Sequence, residues 1–324
     1  MNSHLQNKIF LIIGGTGSFG HQITEDLLKT DVKEIRIFSR GEDLQHKMAI
    51  EYPDKRLNFI IGDVRDFDRL SESTRNVDVV VNAAALKQVA DCERHPFEAV
   101  KTTVLGAYNV KQSAIANEVS NIISISTDKA VKPISAYGMT KALQEKIMTI
   151  SEVQSPAKFT IVRFGNFIGS RGSVIPFFKN CVEKKQPLYV TDFRMTRFLL
   201  PLADVVQTVF KVLLEAKGNE VFVLKKPACL IKDLAEVIAD GRVEVLEGKI
   251  RAGEKIHEIL VQEDEMRRAI EDEEYYIIYP SRPDDEVARR QTPLVEYTSE
   301  NACRLTKKEI GVLLDNINWK MLGE

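Results

Sequence analysis

No apolar run in this chain approaches the ~20 residues that a bilayer-spanning helix needs, and its first residues lack the basic and apolar regions of a secretory leader. A cytoplasmic chain is expected. Cysteine is scarce: Cys92, Cys181, Cys229 and Cys303 lie far apart with no C-x-x-C among them, which argues against a disulfide frame or a zinc site and for ordinary thiols in a reducing compartment. The histidines have no metal-ligand spacing, and no Ser-His-acid nucleophile pattern is legible. An excess of either charge is missing too. With 45 basic against 47 acidic side chains the net charge is −2, so electrostatics give no case for a nucleic acid or an anionic membrane as partner. Repeats of ~20–50 residues and low-complexity segments are also absent. The 324 residues suffice for one large or two smaller domains with a substantial core.

What is present begins with Lys8-Ile-Phe-Leu-Ile-Ile13, an apolar strand candidate leading into Gly14-Gly-Thr-Gly-Ser-Phe-Gly20 and then a helix with Ile23, Leu27 and Leu28 on its buried side. Glycines at 14, 17 and 20 permit a tight turn, close approach of backbone to a pyrophosphate and close helix-on-strand packing, while a helix N-terminus favours negative charge. Between a strand and a helix, this G-x-x-G-x-x-G spacing points to a dinucleotide. The second strand, Glu34-Ile-Arg-Ile-Phe38, ends in Ser39-Arg40. An NAD site usually has an acidic residue in that region, whereas an arginine suits a 2′-phosphate. NADP is therefore the expected cofactor. Two further strands follow. Asn58-Phe-Ile-Ile61 runs into Gly62-Asp63-Val64, with Asp63 placed to meet an adenine. Val77-Asp-Val-Val-Val81 runs into Asn82-Ala-Ala-Ala85, small residues that let a cofactor lie against the backbone.

With 121–126 and Phe159-Thr-Ile-Val-Arg163, six strand units alternate with helical segments. That alternation implies right-handed crossovers and an α/β fold with a Rossmann-type, doubly wound parallel sheet. Residues 1–165 are assigned to a dinucleotide-binding domain. Residues 166–324 are assigned mainly to a smaller α/β substrate-binding domain, with some later segments returning to the first.

After Arg163 the pattern loosens. Residues 164–176 are rich in glycine and polar groups and read as a binding loop. Helices are expected over 176–185, 204–216 and 231–239, and a short strand over 188–191. Asp192-Phe-Arg-Met-Thr-Arg-Phe198 brings Arg194 and Arg197, suited either to phosphate oxygens or to surface carboxylates. The tract 263–274 is heavily charged and reads as a solvated face. Residues 280–300, with Pro280, Pro283 and Pro293, read as loop, and the lone Trp319 as core packing.

The stretch that carries chemistry is Ser124-Ile-Ser-Thr-Asp-Lys-Ala130 and the helix expected from Ala136. Thr127, Asp128 and Lys129 sit at the carboxyl end of a strand, where open α/β sheets place their ligands. Tyr137 and Lys141 share one helix face. A phenol pKa near 10 leaves a tyrosine about 4 kcal/mol short of serving as a base near pH 7. An ammonium about 4 Å away, at an effective dielectric near 20, supplies on the order of that amount.

The glycine turn together with Tyr137-x-x-x-Lys141 resembles the extended short-chain dehydrogenase/reductase superfamily. The match narrows because further motifs recur in order: Tyr52 to Gly-Asp-Val-Arg-Asp66, Ala-Ala-Ala-Leu-Lys87, Ser-Thr-Asp-Lys-Ala130, Gly-Ser-Arg-Gly-Ser-Val174, Arg-Met-Thr-Arg-Phe198 and Gly-Glu-Lys-Ile-His-Glu258. Over nearly the whole chain they resemble the inverting UDP-N-acetylglucosamine 4,6-dehydratases of the pseudaminic-acid pathway, within the polysaccharide-biosynthesis dehydratases and epimerases. Retaining dehydratases have Thr-Asp-Glu where this chain has Thr127-Asp128-Lys129, and a related 5-epimerizing group has methionine in place of Tyr137.

The resemblance implies a homo-oligomer and a set of roles. Gly14, Thr16, Gly17, Ser18, Phe19, Gly20, Ser39, Arg40, Asp63, Val64, Ala83, Ala84, Lys87, Ile125, Ser126, Tyr137 and Lys141 would hold NADP. Lys87, Asn166, Val174, Thr191, Arg197, Arg251 and Asn301 would contact UDP-N-acetylglucosamine, with Arg251 facing the diphosphate. Tyr137, assisted by Thr127 and Lys141, would act at the sugar 4-hydroxyl, Lys129 as a neutral amine at C5, and Asp128 as acid on the 6-hydroxyl. Lys141 and the oxidised nicotinamide would lower the pKa of Lys129. Leu44, Thr103 and Ala252 depart from the family pattern, where lysine, asparagine and proline are usual. The same residues leave three alternatives: release of the 5,6-unsaturated sugar nucleotide, a 4- or 5-epimerase, and a nucleotide-sensing scaffold.

Overall fold

The computed structural model describes residues 2–150, 155–168, 172–280 and 294–316. Trp319, Pro283 and Pro293 lie outside them. The strands β1 (Ile9–Ile13), β2 (Glu34–Ser39), β3 (Leu57–Ile61), β4 (Val79–Asn82), β5 (Asn121–Thr127) and β6 (Lys158–Phe164) pair in parallel in the order β6-β5-β4-β1-β2-β3. This is the doubly wound arrangement, with the order reversing beside β1.

β1 shows why both faces are covered. Phe10 and Ile12 join one apolar cluster, with Phe19, Ile23 and Leu27 of the helix Ser18–Leu28. Ile9, Leu11 and Ile13 point the other way, into a cluster with Val110, Ala114 and Met148 from the helices Gly106–Ala116 and Ala136–Thr149. The period-two alternation of a strand thus feeds two cores, and near-continuous apolar runs follow from burial on both sides.

Three segments from the second half extend this sheet to nine strands. Val221–Leu224 pairs in parallel with β6, Tyr275–Ile278 is antiparallel to it, and Ala269–Glu271 forms the edge. The tract expected to be a solvated face therefore departs from the sequence reading. It holds a short helix, Glu263–Met266, and the edge strand. Glu265 is buried because the Arg163 guanidinium, on β6, takes both of its oxygens at 2.9 and 2.8 Å.

The remaining second half packs around a third cluster that includes Phe178, Leu188, Val190, Leu234 and Ile238. Its helices are Val174–Glu183, Ile231–Ala239 and Lys307–Asp315, and Leu188–Val190 is its short strand, whereas the helix Leu202–Glu215 packs into the first cluster with Val162 and Phe164 of β6. The loop after β6 contains a two-residue strand, Asn166–Phe167, paired with Leu199 and Leu200. Tyr297–Thr298, within the stretch expected to be loop, pairs with the strand Ile259–Val261. Among the described residues no helix is long and apolar enough to cross a membrane.

Candidate active site

At the carboxyl ends of the parallel strands lies a cleft of ≈ 920 Å³. Its floor begins at the turn after β1, where Gly14 takes φ +78° and a side chain would press on Ala83 and Ala84. At Gly20 a Cβ would collide with the Gly15 carbonyl, so the helix can lie close on the strand only without one. Gly17 caps that helix without a side-chain hydrogen bond, and a helix N-terminus favours an anion. A cradle shaped by absent side chains, ending at an uncapped helix N-terminus, fits a pyrophosphate.

Of the residues expected to hold a dinucleotide, Gly14, Thr16, Gly17, Ser18, Phe19, Ser39, Arg40, Asp63, Val64, Ala83, Ala84, Lys87, Ile125, Ser126, Tyr137 and Lys141 line this cleft. Gly20 lies behind it, in the helix packing. Leu44 lines it beside Arg40. Asp63 is held by Arg65 at 2.6 Å, with Arg40 at 3.8 Å. These residues fit a nicotinamide dinucleotide.

At the other end, β5 finishes at Thr127 and turns through Asp128–Ala130 before Ser135 caps the helix Ala136–Thr149 by accepting from the Gly138 N–H. Gly138 lets the helix settle on that turn, since a side chain there would strike the Lys129 carbonyl. Tyr137, Thr127, Lys129 and Lys141 reach the cleft together.

Lys141 is buried, and its Nζ donates to the Ile125 carbonyl and to Gln144 Oε1. Burial pulls its pKa down to about 8. Burial pushes the Tyr137 phenol up to about 12, against the Lys129 charge and a Thr127 hydrogen bond, which favour the phenolate. The cation foremost in favouring the Tyr137 phenolate is thus Lys129, where the spacing pointed to Lys141. The helix turn places the Lys141 ammonium against backbone and amide.

Lys129 departs from expectation as well. Its Nζ lies 2.9 Å from Asp128 Oδ1 and 3.3 Å from Glu258 Oε1. Burial opposes its charge, but the two carboxylates outweigh that and hold its pKa above the usual lysine value, with Arg197 the opposing cation. Asp128 has no exposed surface. Burial, with Glu258 nearby, holds its carboxyl above the usual range although Lys129 pulls the other way.

The expected sugar contacts divide. Asn166 lines the cleft, and its Oδ1 is buried with no hydrogen-bond partner among the described residues. Val174 opens the helix next to Gly172 and Ser173 of the lining. Arg197 is spent within the protein: its guanidinium donates to the carbonyls of Thr196, Lys255 and Ile256, and its Nε lies 3.6 Å from Glu258. Arg194 pairs with Asp192 at 2.7 Å. Arg251 is 77% exposed by side chain and pairs with Glu254. Thr191 follows the strand Leu188–Val190, outside the cleft lining. Asn301 is turned into its own loop, accepting from the Thr298 N–H and donating to the Glu296 carbonyl, and borders a separate ≈ 520 Å³ pocket.

Sequence reasoning quoted Glu258 within a motif but gave it no role. Its one signal is a carboxylate at the first residue before an apolar strand. It also missed the buried cluster in which Arg163 Nε and Nη2 meet Glu145 at 2.9 and 2.5 Å, while Ser126 donates to the same carboxylate.

The sheet order and cleft define the class: this is the fold of the nucleotide-sugar epimerases and dehydratases of short-chain dehydrogenase/reductase type. A dTDP-glucose 4,6-dehydratase from Streptomyces venezuelae shares it, with a TM-score of 0.69 at 22% identity over 76% of this chain and 86% of that one. The chain belongs to the polysaccharide biosynthesis protein family, whose pattern it matches over residues 10–280. The X-ray structure of Pen from Bacillus thuringiensis superposes with a TM-score of 0.89 at 37% identity, covering 97% of this chain and all of that one. A Rickettsia conorii protein named UDP-glucose 4-epimerase is 41% identical over 97% of each chain.

Proposed function

We propose that the protein is an NADP-dependent hydro-lyase that carries out inverting 4,6-dehydration of UDP-N-acetylglucosamine, giving UDP-2-acetamido-2,6-dideoxy-β-L-arabino-hexos-4-ulose. The observation that carries this reading is Lys129, which lines the same cleft as Tyr137 and pairs with the fully buried Asp128 behind it. Chemistry at C4 alone needs one base beside a hydride carrier, and Tyr137 meets that need. Elimination across C5 and C6 needs a second base and an acid as well.

A nicotinamide dinucleotide in the cradle supplies a hydride acceptor for C4 and a donor for C6. Arg40 at the end of β2 suits a 2′-phosphate. Tyr137 takes the 4-hydroxyl proton, with Thr127 bonded to the same phenol. From a phenol pKa of about 12, forming phenolate at pH 7 requires about 7 kcal/mol, more than an unburied tyrosine would need. The Lys129 charge already contributes to that value, and a bound pyridinium would favour the phenolate further. Lys129 removes the C5 proton, made acidic by the neighbouring ketone. Asp128, whose burial favours the protonated form, protonates the departing 6-hydroxyl. Asn166 offers its unpartnered oxygen to the sugar.

The Rickettsia relative's name, UDP-glucose 4-epimerase, favours a second reading, a UDP-sugar 4-epimerase in which Asp128 and Lys129 only orient the sugar. Incubation with UDP-N-acetylglucosamine and no added nicotinamide, followed by NMR and mass spectrometry in deuterated water, separates the readings. The dehydratase product lacks one water and carries deuterium at C5; a 4-epimer keeps the substrate's mass. A 5,6-unsaturated product would mean release before hydride return. Lys129→Met should reduce product formation by about 100-fold or more while leaving C4 oxidation intact.

A homo-oligomer belongs to the same reading. Met139 and Leu143 stand exposed one turn apart on the Tyr137 helix, and Leu105 and Tyr108 are likewise exposed. Light scattering should give a dimer or larger, and Leu143→Lys should lower the mass.

A further inference from the structure

Elimination asks for a neutral Lys129 and a protonated Asp128 at once, yet the structure holds Lys129 as an ammonium. Resting on the dehydratase reading, we propose that Glu258 receives the proton that Lys129 must shed, acting through Lys129 and not on the sugar itself. The geometry is that of three groups sharing two protons. Lys129 Nζ bridges Asp128 Oδ1 at 2.9 Å and Glu258 Oε1 at 3.3 Å. Both carboxyls are almost wholly buried, and each keeps one oxygen, Oδ2 or Oε2, buried with no hydrogen-bond partner among the described residues. Each can therefore hold a proton on the free oxygen while the other oxygen stays on the amine.

Asp128 cannot take the lysine's proton if it already holds the one destined for the leaving hydroxyl. Glu258 is the remaining acceptor in contact with the amine. Besides Asp128 and Lys129, it faces Arg197, with Nε at 3.6 Å, and the half-buried Lys255, whose Nζ donates to the Val131 carbonyl at 2.6 Å. These cations keep Glu258 ionised in the resting protein, so the resting triad is carboxylic acid, ammonium and carboxylate. Sugar filling the cleft excludes water and raises the cost of separated charge. The proton then moves from Nζ to Glu258, leaving acid, amine and acid, with the net charge unchanged.

From that state the step balances. The C5–H bond breaks and its proton goes to Lys129. Its electron pair forms C5=C6, the C6–O bond breaks, and the Asp128 proton completes the departing water. The triad is left as Asp128 carboxylate, Lys129 ammonium and protonated Glu258, ready to return protons in the second half of the cycle.

Glu258→Gln tests this. The variant keeps the backbone bonds that fix the residue, from its N–H to Ser299 Oγ and from the Ser299 N–H to its carbonyl. Steady-state rates on UDP-N-acetylglucosamine should show kcat down about 100-fold with KM within about 3-fold, and kcat climbing with pH as Lys129 discharges to solvent instead. Glu258→Asp should recover part of the loss. In a Lys129→Met background, Glu258→Gln should add nothing to the residual rate; additive losses would mean an independent structural role and overturn the relay. So would a glutamine variant with parental kcat and pH profile, or one changed in KM alone. If the parent protein removes no water from the sugar, the dehydratase reading itself fails; if it does and the variant behaves as the parent, only the relay fails.

Discussion

Lys141 shows what one residue contributes when its site opposes its stability. The spacing from Tyr137 made the pair legible in the sequence, because a helix puts positions four apart on one face. What the spacing could not convey is the side chain's environment. Its ammonium is 3% exposed and bonded only to neutral oxygens, so burial dominates and the pKa falls from 10.5 to about 8. The folded value lies below the unfolded one, so the unfolded chain binds more protons across that window, and stability rises as pH climbs through it. At pH 7 the buried charge costs about 3 kcal/mol. Lys141→Met should therefore raise the melting temperature at pH 7 while abolishing turnover. The loss of two hydrogen bonds reduces the gain to about 1–2 kcal/mol. The advantage should shrink as melts are repeated from pH 8 towards 10.5. An advantage that stayed constant with pH would mean that Lys141 is not buried as a cation.

Two of the ties that hold the helix Ala136–Thr149 to the turn after β5 and to β6 can be tested singly. One is Gly138, whose missing side chain lets the helix rest on the Lys129 carbonyl. Gly138→Ala must push the helix away from that turn and carry Tyr137 with it. A displacement near 1 Å in a reacting group costs about 100-fold in rate, so kcat should fall by that order while helix propensity limits the stability loss. Circular dichroism melts beside turnover measure the two effects separately. The other tie is Arg163, 2% exposed by side chain, between Glu145 of this helix and Glu265 of the segment leading to the sheet edge. Removing a guanidinium between two buried carboxylates leaves them uncompensated. Arg163→Met should cost about 3–5 kcal/mol, read from denaturant unfolding. Glu265 is held below the usual carboxylate range, since Arg163 outweighs burial. Its contribution is thus present above its unfolded pKa near 4.5 and lost as pH falls through the folded value. The stability difference between parent and Glu265→Gln should accordingly narrow in acid.

At the scale of the molecule, the sequence disclosed the parts whose signals are local. The apolar runs of β1 to β6, the glycine turn and the Tyr137 stretch each announce themselves within about ten residues. Glu265 did not, because its partner Arg163 is 102 positions away, and a tract of charges looks solvated until that partner is known. The sequence implies that some later segments return to the first half, but the same distance hid which ones complete the sheet: Val221–Leu224, Tyr275–Ile278 and Ala269–Glu271. It also hid how Glu258, beside the strand Ile259–Val261, closes around Lys129 from the far half of the chain. A boundary at 165 therefore cuts through one core: Val162 and Phe164 share a cluster with Val205, Val209, Phe222 and Tyr275. A fragment of residues 1–165 would carry β6 as an unpaired edge with its apolar face uncovered, the condition under which strands self-associate. The fragment should be insoluble or bind a hydrophobic dye, and should lack the cooperative melt of the full chain. Co-expression with 166–324 should restore a soluble complex, because the missing strand and the helix Leu202–Glu215 then return to their places. A fragment that folded alone and bound a dinucleotide as tightly as the full chain would mean that the second half adds the sugar site without supporting the first.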